Sequence, residues 1–260
     1  APWLASLASP LYLEAVSQLR GDRRLQEFSL HSGERILLAP ECRGACDGVV
    51  RIGGVPTPRF WRDCGDLPVL HISRVNLPGL EGTGPVVPTG LFREICESFV
   101  PPGGKSDALF ARDRAAAKQL ALLLEEEPRS EAGLVRSLAR RLPLDARIFL
   151  GNSLPIREWD LAAPRATGER TFFANRGVNG IDGLVSTALG LAGDGRPAAA
   201  VLGDLSALYD LAGLWPAARV GTEDFTLVVI NNGGGMIFDR MFRNPSFLNA
   251  HHLRLRGWAE

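Results

Sequence analysis

Charge of one sign is not in excess anywhere in the overall composition. Twenty-nine Lys and Arg are matched by 29 Asp and Glu, so nothing in the net charge calls for a nucleic-acid partner. Long apolar runs are missing as well. No stretch approaches the roughly 20 residues of a membrane span, and the amino terminus has no basic segment followed by an apolar signal core. Histidine is scarce, with four in 260 residues, and His31, His71, His251 and His252 show no metal-ligand spacing. Cysteine is equally scarce. Cys42 and Cys46 lie close enough to suggest a clip, but zinc sites draw on paired, closely spaced motifs, and a chain of this length needs no disulfide staples. Cys42, Cys46, Cys64 and Cys96 are therefore read as reduced and structural, and the chain as cytoplasmic. Also absent are a P-loop lysine motif, a serine nucleophile elbow and the first-turn glycine fingerprint of a dinucleotide site.

What is present is an apolar fraction of 45%, cut by 29 Gly and 18 Pro, the composition of a globular chain. Residues 1–104 read as mixed α/β. A short helix is expected over Leu11–Gln18, with strands at Arg35–Ala39, Val49–Ile52 and Val69–Ile72. Pro101-Pro102-Gly103-Gly104 is the clearest break, and the domain boundary is placed there, between 1–104 and 105–260. Helices are expected over Ala108–Glu127, ending before Pro128, and over Ser130–Leu142, ending before Pro143. Strands follow near Arg147–Leu150, Thr171–Ala174, Ala198–Leu202 and Phe225–Ile230, with helices between them. That alternation predicts a parallel sheet covered by helices on both faces. The fold class expected is α/β, with two doubly wound parallel-sheet domains.

Two of these strands end in chemistry. Ala198–Leu202 runs into Gly203-Asp204-Leu205-Ser206, and Phe225–Ile230 into Asn231-Asn232-Gly233-Gly234-Gly235. A strand, a glycine turn with an acid, a helix and a second strand ending in amides bring a carboxylate and amide oxygens to the carboxyl ends of neighbouring strands, where open α/β sheets bind ligands. Hard oxygens of this kind suit Mg²⁺, which keeps few protein ligands and completes its shell with phosphate and water. Alone, Asp204 reads more readily as a helix cap; the Asn-Asn-Gly element 28 positions later reverses that. Gly151-Asn152-Ser153 follows another strand and opens a helix. Arg157 stands four residues after Ser153, on the same helix face, and Arg176 follows Asn175 at a further strand end. Two arginines at such turns suit planar, forked recognition of carboxylates.

An acid after glycine with an Asn-Asn pair just under thirty residues on resembles the diphosphate-binding signature of thiamine diphosphate (ThDP) enzymes. Many of those have Gly-Asp-Gly where this chain has Gly-Asp-Leu-Ser. That departure, with Gly151–Arg157 (GNSLPIR) and Asn175–Gly183 (NRGVNGIDG), resembles the MenD family of ThDP enzymes. The match is strong over about Arg147–Phe238 and weak before it.

The resemblance implies a central, transhydrogenase-like domain over 1–104 and a diphosphate-binding domain over 105–260. It implies ThDP and Mg²⁺ (or Mn²⁺) as cofactors. The metal ligands would be Asp204, Asn232 and the Gly234 carbonyl, with Asn231 orienting the turn. Asn152, Ser153, Gly203, Leu205 and Ser206 would hold the diphosphate, and Ile181 would prop the cofactor in a bent shape. Arg157, Arg176, Ile237 and Phe238 would line the substrate pocket, with Arg59 reaching it from the central domain. The implied reaction decarboxylates 2-oxoglutarate and adds the succinyl unit to isochorismate in 1,4 fashion, in menaquinone and phylloquinone biosynthesis. The family's catalytic glutamate belongs to an amino-terminal pyrimidine-binding domain, so no residue here takes that role. The chain is expected to be a fragment that is inactive alone and part of a homodimer or homotetramer when full length. Two other readings stay open: a ThDP enzyme acting on another 2-oxo acid, and a non-catalytic module that keeps the fold.

Overall fold

The computed structural model describes residues 1–32, 39, 44–58, 67–74, 85–98, 107–165, 168–177, 179–192 and 195–238. Contacts divide the chain into two compact units, Ala1–Glu127 and Pro128–Glu260. Each carries a parallel sheet flanked by helices, so the α/β class read from strand–helix alternation holds.

In the first unit, β1 (Val49–Ile52), β2 (Val69–Ser73) and β3 (Val86–Pro88) pair in parallel in that order. Helix α1 (Pro2–Ser6) opens the chain, α2 (Phe92–Ser98) follows β3, and α3 (Asp107–Glu126) ends the unit. Leu109 and Phe110 of α3 pack with Leu30 and Val69 in the core. Asp113, on the same helix, is buried and accepts from the backbone N–H groups of His31 and Ser32, each at 2.9 Å, and from Ser32 Oγ at 2.6 Å. A buried carboxylate is tolerated only with such donors, and these three fasten α3 to the first unit. The contact boundary therefore falls after Glu127, beyond the Pro/Gly turn at 101–104, which itself lies outside the described residues.

One local expectation fails. Leu11–Gln18 is not a helix; only a 3-10 turn forms, over Ala15–Ser17. The Leu11 backbone is engaged elsewhere, with its N–H donating to Phe28 O at 2.7 Å and its C=O accepting from Leu30 N at 2.8 Å. Gln18 then turns left-handed at φ 61°, which ends any helical path. The strand expected at Arg35–Ala39 lies outside the described residues except for Ala39.

The second unit begins with α4 (Glu131–Arg141), capped by Ser130 Oγ accepting from Gly133 N at 3.1 Å. Then follow β4 (Arg147–Leu150), α5 (Leu154–Ala162), β5 (Thr171–Phe173), α6 (Leu184–Leu189), β6 (Ala198–Gly203), α7 (Asp204–Tyr209), α8 (Ala217–Val220) and β7 (Phe225–Ile230). The strands are all parallel in the order β5-β4-β6-β7. Every residue of β4 is buried, as are the first five of β6. Successive strand residues point to opposite faces, so both faces must be covered. Phe149, Ala200 and Leu202 meet Leu184, Val185, Ala188 and Leu189 of α6. Ile148 and its register partner Phe172 point the other way, and Phe172 meets Trp159 of α5 edge-on at 5.8 Å. The continuous apolar runs read in the sequence are what a strand buried on two sides requires.

Chain order puts β5 on one side of β4, then returns to place β6 on the other. The reversal opens a crevice beyond the carboxyl ends of β4 and β6.

Candidate functional site

The turns leaving β4 and β6 meet at that crevice. Gly151 lies so close to β6 that a Cβ there would stand 2.8 Å from Leu202 Cδ2 and 3.1 Å from Val201 O. A Cβ at Gly203 would touch Pro155 at 4.0 Å, so the Gly-Asn-Ser and Gly-Asp-Leu-Ser segments are neighbours.

Asp204 is only 3% exposed. Its carboxylate accepts from Leu205 N at 2.7 Å and from Gly233 N at 3.1 Å, the second bond drawing the loop after β7 onto the end of β6. Among the described residues, no basic side chain pairs with it. The loop is built for tight approach: Gly233, Gly234 and Gly235 have φ of 89°, 74° and 66°, a run open only to glycine at low cost. Asn232 Oδ1 accepts from Gly234 N at 3.1 Å, and Asn231 Oδ1 from Gly233 N at 3.3 Å. No group of three His, Cys, Asp or Glu is placed to hold a metal ion among the described residues. A cation here would depend on one carboxylate, amide and backbone oxygens, and ligand phosphate. A buried carboxylate without a cationic partner, beside amide and carbonyl oxygens, fits Mg²⁺ in donor chemistry.

Asn152 organises the β4–β5 side. It is 2% exposed. Its Nδ2 donates to Asn175 O at 3.0 Å and Gly180 O at 2.7 Å, while its Oδ1 accepts from Arg176 Nη1 at 3.0 Å. Two carbonyls on one end and a guanidinium on the other fix the amide orientation. Both N–H donors are thus engaged within the protein, and the side chain ties the end of β4 to Arg176 and its loop. Ser153, next in line, has φ 77° and ψ −131°, a conformation that costs a side-chain-bearing residue about 1–3 kcal/mol. Arg157 Nη1 donates to the Ser153 carbonyl at 2.5 Å. Ala174, Asn175, Arg176, Gly180, Asp182 and Leu184 line an open cleft of about 450 Å³ at the end of β5.

The other expected site residues fall around these anchors. Leu205 and Ser206 occupy the first turn of α7, with Ser206 2% exposed. Ile181 is half-buried just ahead of α6. Ile237 and Phe238 form a 3-10 turn after the glycines, with Phe238 41% exposed. Arg59 lies outside the described residues. Two contacts had no sequence signal. Glu131 Oε2 accepts from Asn232 Nδ2 at 3.0 Å across 101 positions. Asp210 accepts from Ser186 N at 2.6 Å and Ser186 Oγ at 3.0 Å, which ties the first turn of α6 to the end of α7.

No protein-family model matches the chain. Among curated proteins, the 2-succinyl-5-enolpyruvyl-6-hydroxy-3-cyclohexene-1-carboxylate synthase of Bdellovibrio bacteriovorus is 38% identical over 263 residues, covering 99% of this chain and 49% of that protein. The synthase of the same name from Akkermansia muciniphila is 35% identical, covering 92% of this chain and 44% of its own length. That of Shewanella halifaxensis reaches 46% identity over 131 residues, half of this chain and 23% of that protein. A solved structure from Mycobacterium smegmatis, assigned to the thiamin diphosphate-dependent enzymes, aligns with a TM-score of 0.48 at 22% identity, over 74% of this chain and 39% of that one. Over nearly its whole length the chain is similar to curated proteins named 2-succinyl-5-enolpyruvyl-6-hydroxy-3-cyclohexene-1-carboxylate synthase, and it spans about half the length of those relatives.

Proposed function

We propose that this chain is the diphosphate- and metal-binding part, with a preceding domain, of an enzyme that decarboxylates 2-oxoglutarate and adds the succinyl unit to isochorismate. The observation that carries this reading is the buried Asp204 carboxylate, held by backbone N–H groups at the switch point and facing the Asn232–Gly235 loop. Asp204, the Asn232 amide oxygen and the Gly234 carbonyl would hold Mg²⁺. Asn152, Ser153, Gly203, Leu205 and Ser206 would seat the diphosphate, helped by backbone N–H groups at the start of α7. When bound, ThDP supplies the carbon nucleophile and electron sink that 2-oxo acid decarboxylation needs.

The protein's own part is binding and orientation. Arg157 and Arg176 offer forked donors to the carboxylates of the two substrates. Asn152 holds Arg176 by its guanidinium, so the fork is aimed before substrate arrives. Ile181 would support the cofactor, and Ile237 and Phe238 would wall the pocket. The acid–base group for the pyrimidine ring is assigned to no residue of this chain, and the isolated 260 residues are expected to be inactive. The full-length protein is expected to be a cytoplasmic homodimer or homotetramer.

The test is product analysis on the longest native polypeptide carrying these residues, supplied with ThDP, Mg²⁺, 2-oxoglutarate and isochorismate. Isochorismate-dependent release of CO₂ with formation of the succinyl adduct is expected. Arg176→Ala or Arg157→Ala should each lower kcat/KM by roughly 10- to 150-fold, the loss of one charge-assisted contact of about 1.5–3 kcal/mol. Turnover of a different 2-oxo acid would discard the substrate assignment, and no turnover at all would discard the enzymatic reading.

A further inference from the structure

We propose that Glu131 is a positioning residue for the metal loop, setting which end of the Asn232 amide faces the cation. This rests on the assignment of Asp204, Asn232 and Gly234 as metal ligands. An amide presents oxygen at one end and two N–H donors at the other, and only the oxygen can ligate a metal. A carboxylate only accepts, so it binds the nitrogen end and repels the oxygen end. Glu131 Oε2 accepts from Asn232 Nδ2 at 3.0 Å, and Asn232 Oδ1 is thereby turned toward the glycines, where it accepts from Gly234 N at 3.1 Å. The same loop reaches Asp204 through Gly233 N at 3.1 Å, so the oriented oxygen belongs to the segment that closes on the acid. With Glu131 gone, the amide can rotate by half a turn and show its N–H groups instead.

A purely local role does not account for this contact. As an acid in the first turn of α4, Glu131 complements the helix dipole, but that role needs no partner 101 positions away. Glu131 Oε1 is buried and makes no hydrogen bond among the described residues, whereas an acid serving only the dipole would keep its hydration. Carboxylates that orient metal ligands from behind are a common device, and their removal typically costs 10- to 100-fold in metal affinity.

The experiment measures Mn²⁺ affinity, from the paramagnetic resonance signal of free Mn²⁺, on the longest native polypeptide carrying these residues in the presence of ThDP. Glu131→Ala is expected to weaken Mn²⁺ binding about tenfold. Glu131→Gln, whose carbonyl can accept the same bond, should stay within about threefold of the parent, and it keeps the test available if the alanine variant fails to fold. Asn232→Ala should weaken binding too, and adding Glu131→Ala to it should have no further effect, because the two act through one contact. The proposal is overturned if Glu131→Ala binds Mn²⁺ as the parent does, if Glu131→Gln loses as much as alanine, or if the loss persists undiminished in the Asn232→Ala background, which would mark a general charge effect. If Asp204→Ala leaves Mn²⁺ affinity unchanged, the metal-site assignment itself falls, and this proposal with it.

Discussion

Asn152 shows how one side chain can tie a strand end to the loop beside it. Its amide nitrogen satisfies two carbonyls from the loop after β5, and its oxygen holds Arg176. Replacing it by alanine deletes, at a position only 2% exposed, the donor to the Asn175 and Gly180 carbonyls and the acceptor for Arg176. Asn152→Ala should therefore cost about 1–3 kcal/mol, read as a lower urea midpoint at unchanged slope. At this scale the sequence was informative wherever a residue follows a strand and a glycine. Asp204 and Asn232 announce themselves because an apolar run and a turn fix where they must lie. Glu131 does not, since Ser130-Glu131 is fully explained as a helix start and its partner is remote in sequence. Ser153 was read as a phosphate contact from its motif; its left-handed backbone could not be, because nothing in the residue type signals it.

Among the elements, the contact of β4 with β6 is the one that makes the crevice, and Gly151 sets how close they come. Gly151→Ala would drive its Cβ to within 2.8 Å of Leu202 Cδ2 and 3.1 Å of the Val201 carbonyl. Part of that clash is with backbone, which cannot swing away. A loss of about 1–3 kcal/mol is expected, measurable as a fall in the thermal midpoint. The strands β4 and β6 were legible nearly to the residue, because two-sided burial demands unbroken apolar runs, and β7, a partly buried edge strand, because turn residues bound its β-branched and apolar run. β3 and α2 were not anticipated. Val86-Val87-Pro88 is too short to stand out and ends in a residue that strands avoid. Leu11–Gln18 had the spacing of a helix, but pairing of Leu11 with the segment ending at Leu30 took its backbone groups. Propensity yields to such tertiary contacts.

At the scale of the whole molecule, each unit has its own vulnerability. In the first, His71 is fully buried and its Nδ1 accepts from Arg51 Nε at 2.7 Å. Burial, and then the Arg51 charge, hold its pKa below the ordinary 6.5. The unfolded chain therefore takes up a proton near pH 6.5 that the folded chain refuses. The stability this confers is whole above that pH and declines as pH falls from there toward the folded value. His71→Gln, which keeps an acceptor for Arg51 and cannot titrate, should flatten that part of the pH–stability curve in a melting series. The Pro/Gly turn at 101–104 was a reasonable place to divide the chain, yet the contacts carry α3 into the first unit, through a carboxylate whose donors lie some eighty positions away. In the second unit, the chain runs through β5 and α6 before it returns to lay β6 beside β4, the two neighbouring strands that frame the crevice. The crevice consequently has no existence in the unfolded chain, and any molecule that occupies it draws the population toward the native form. By mass action a ligand at 100 times its Kd adds about 2.7 kcal/mol. A panel of diphosphates and divalent ions can then be ranked by melting temperature alone, which asks what this fold accommodates before asking what it converts.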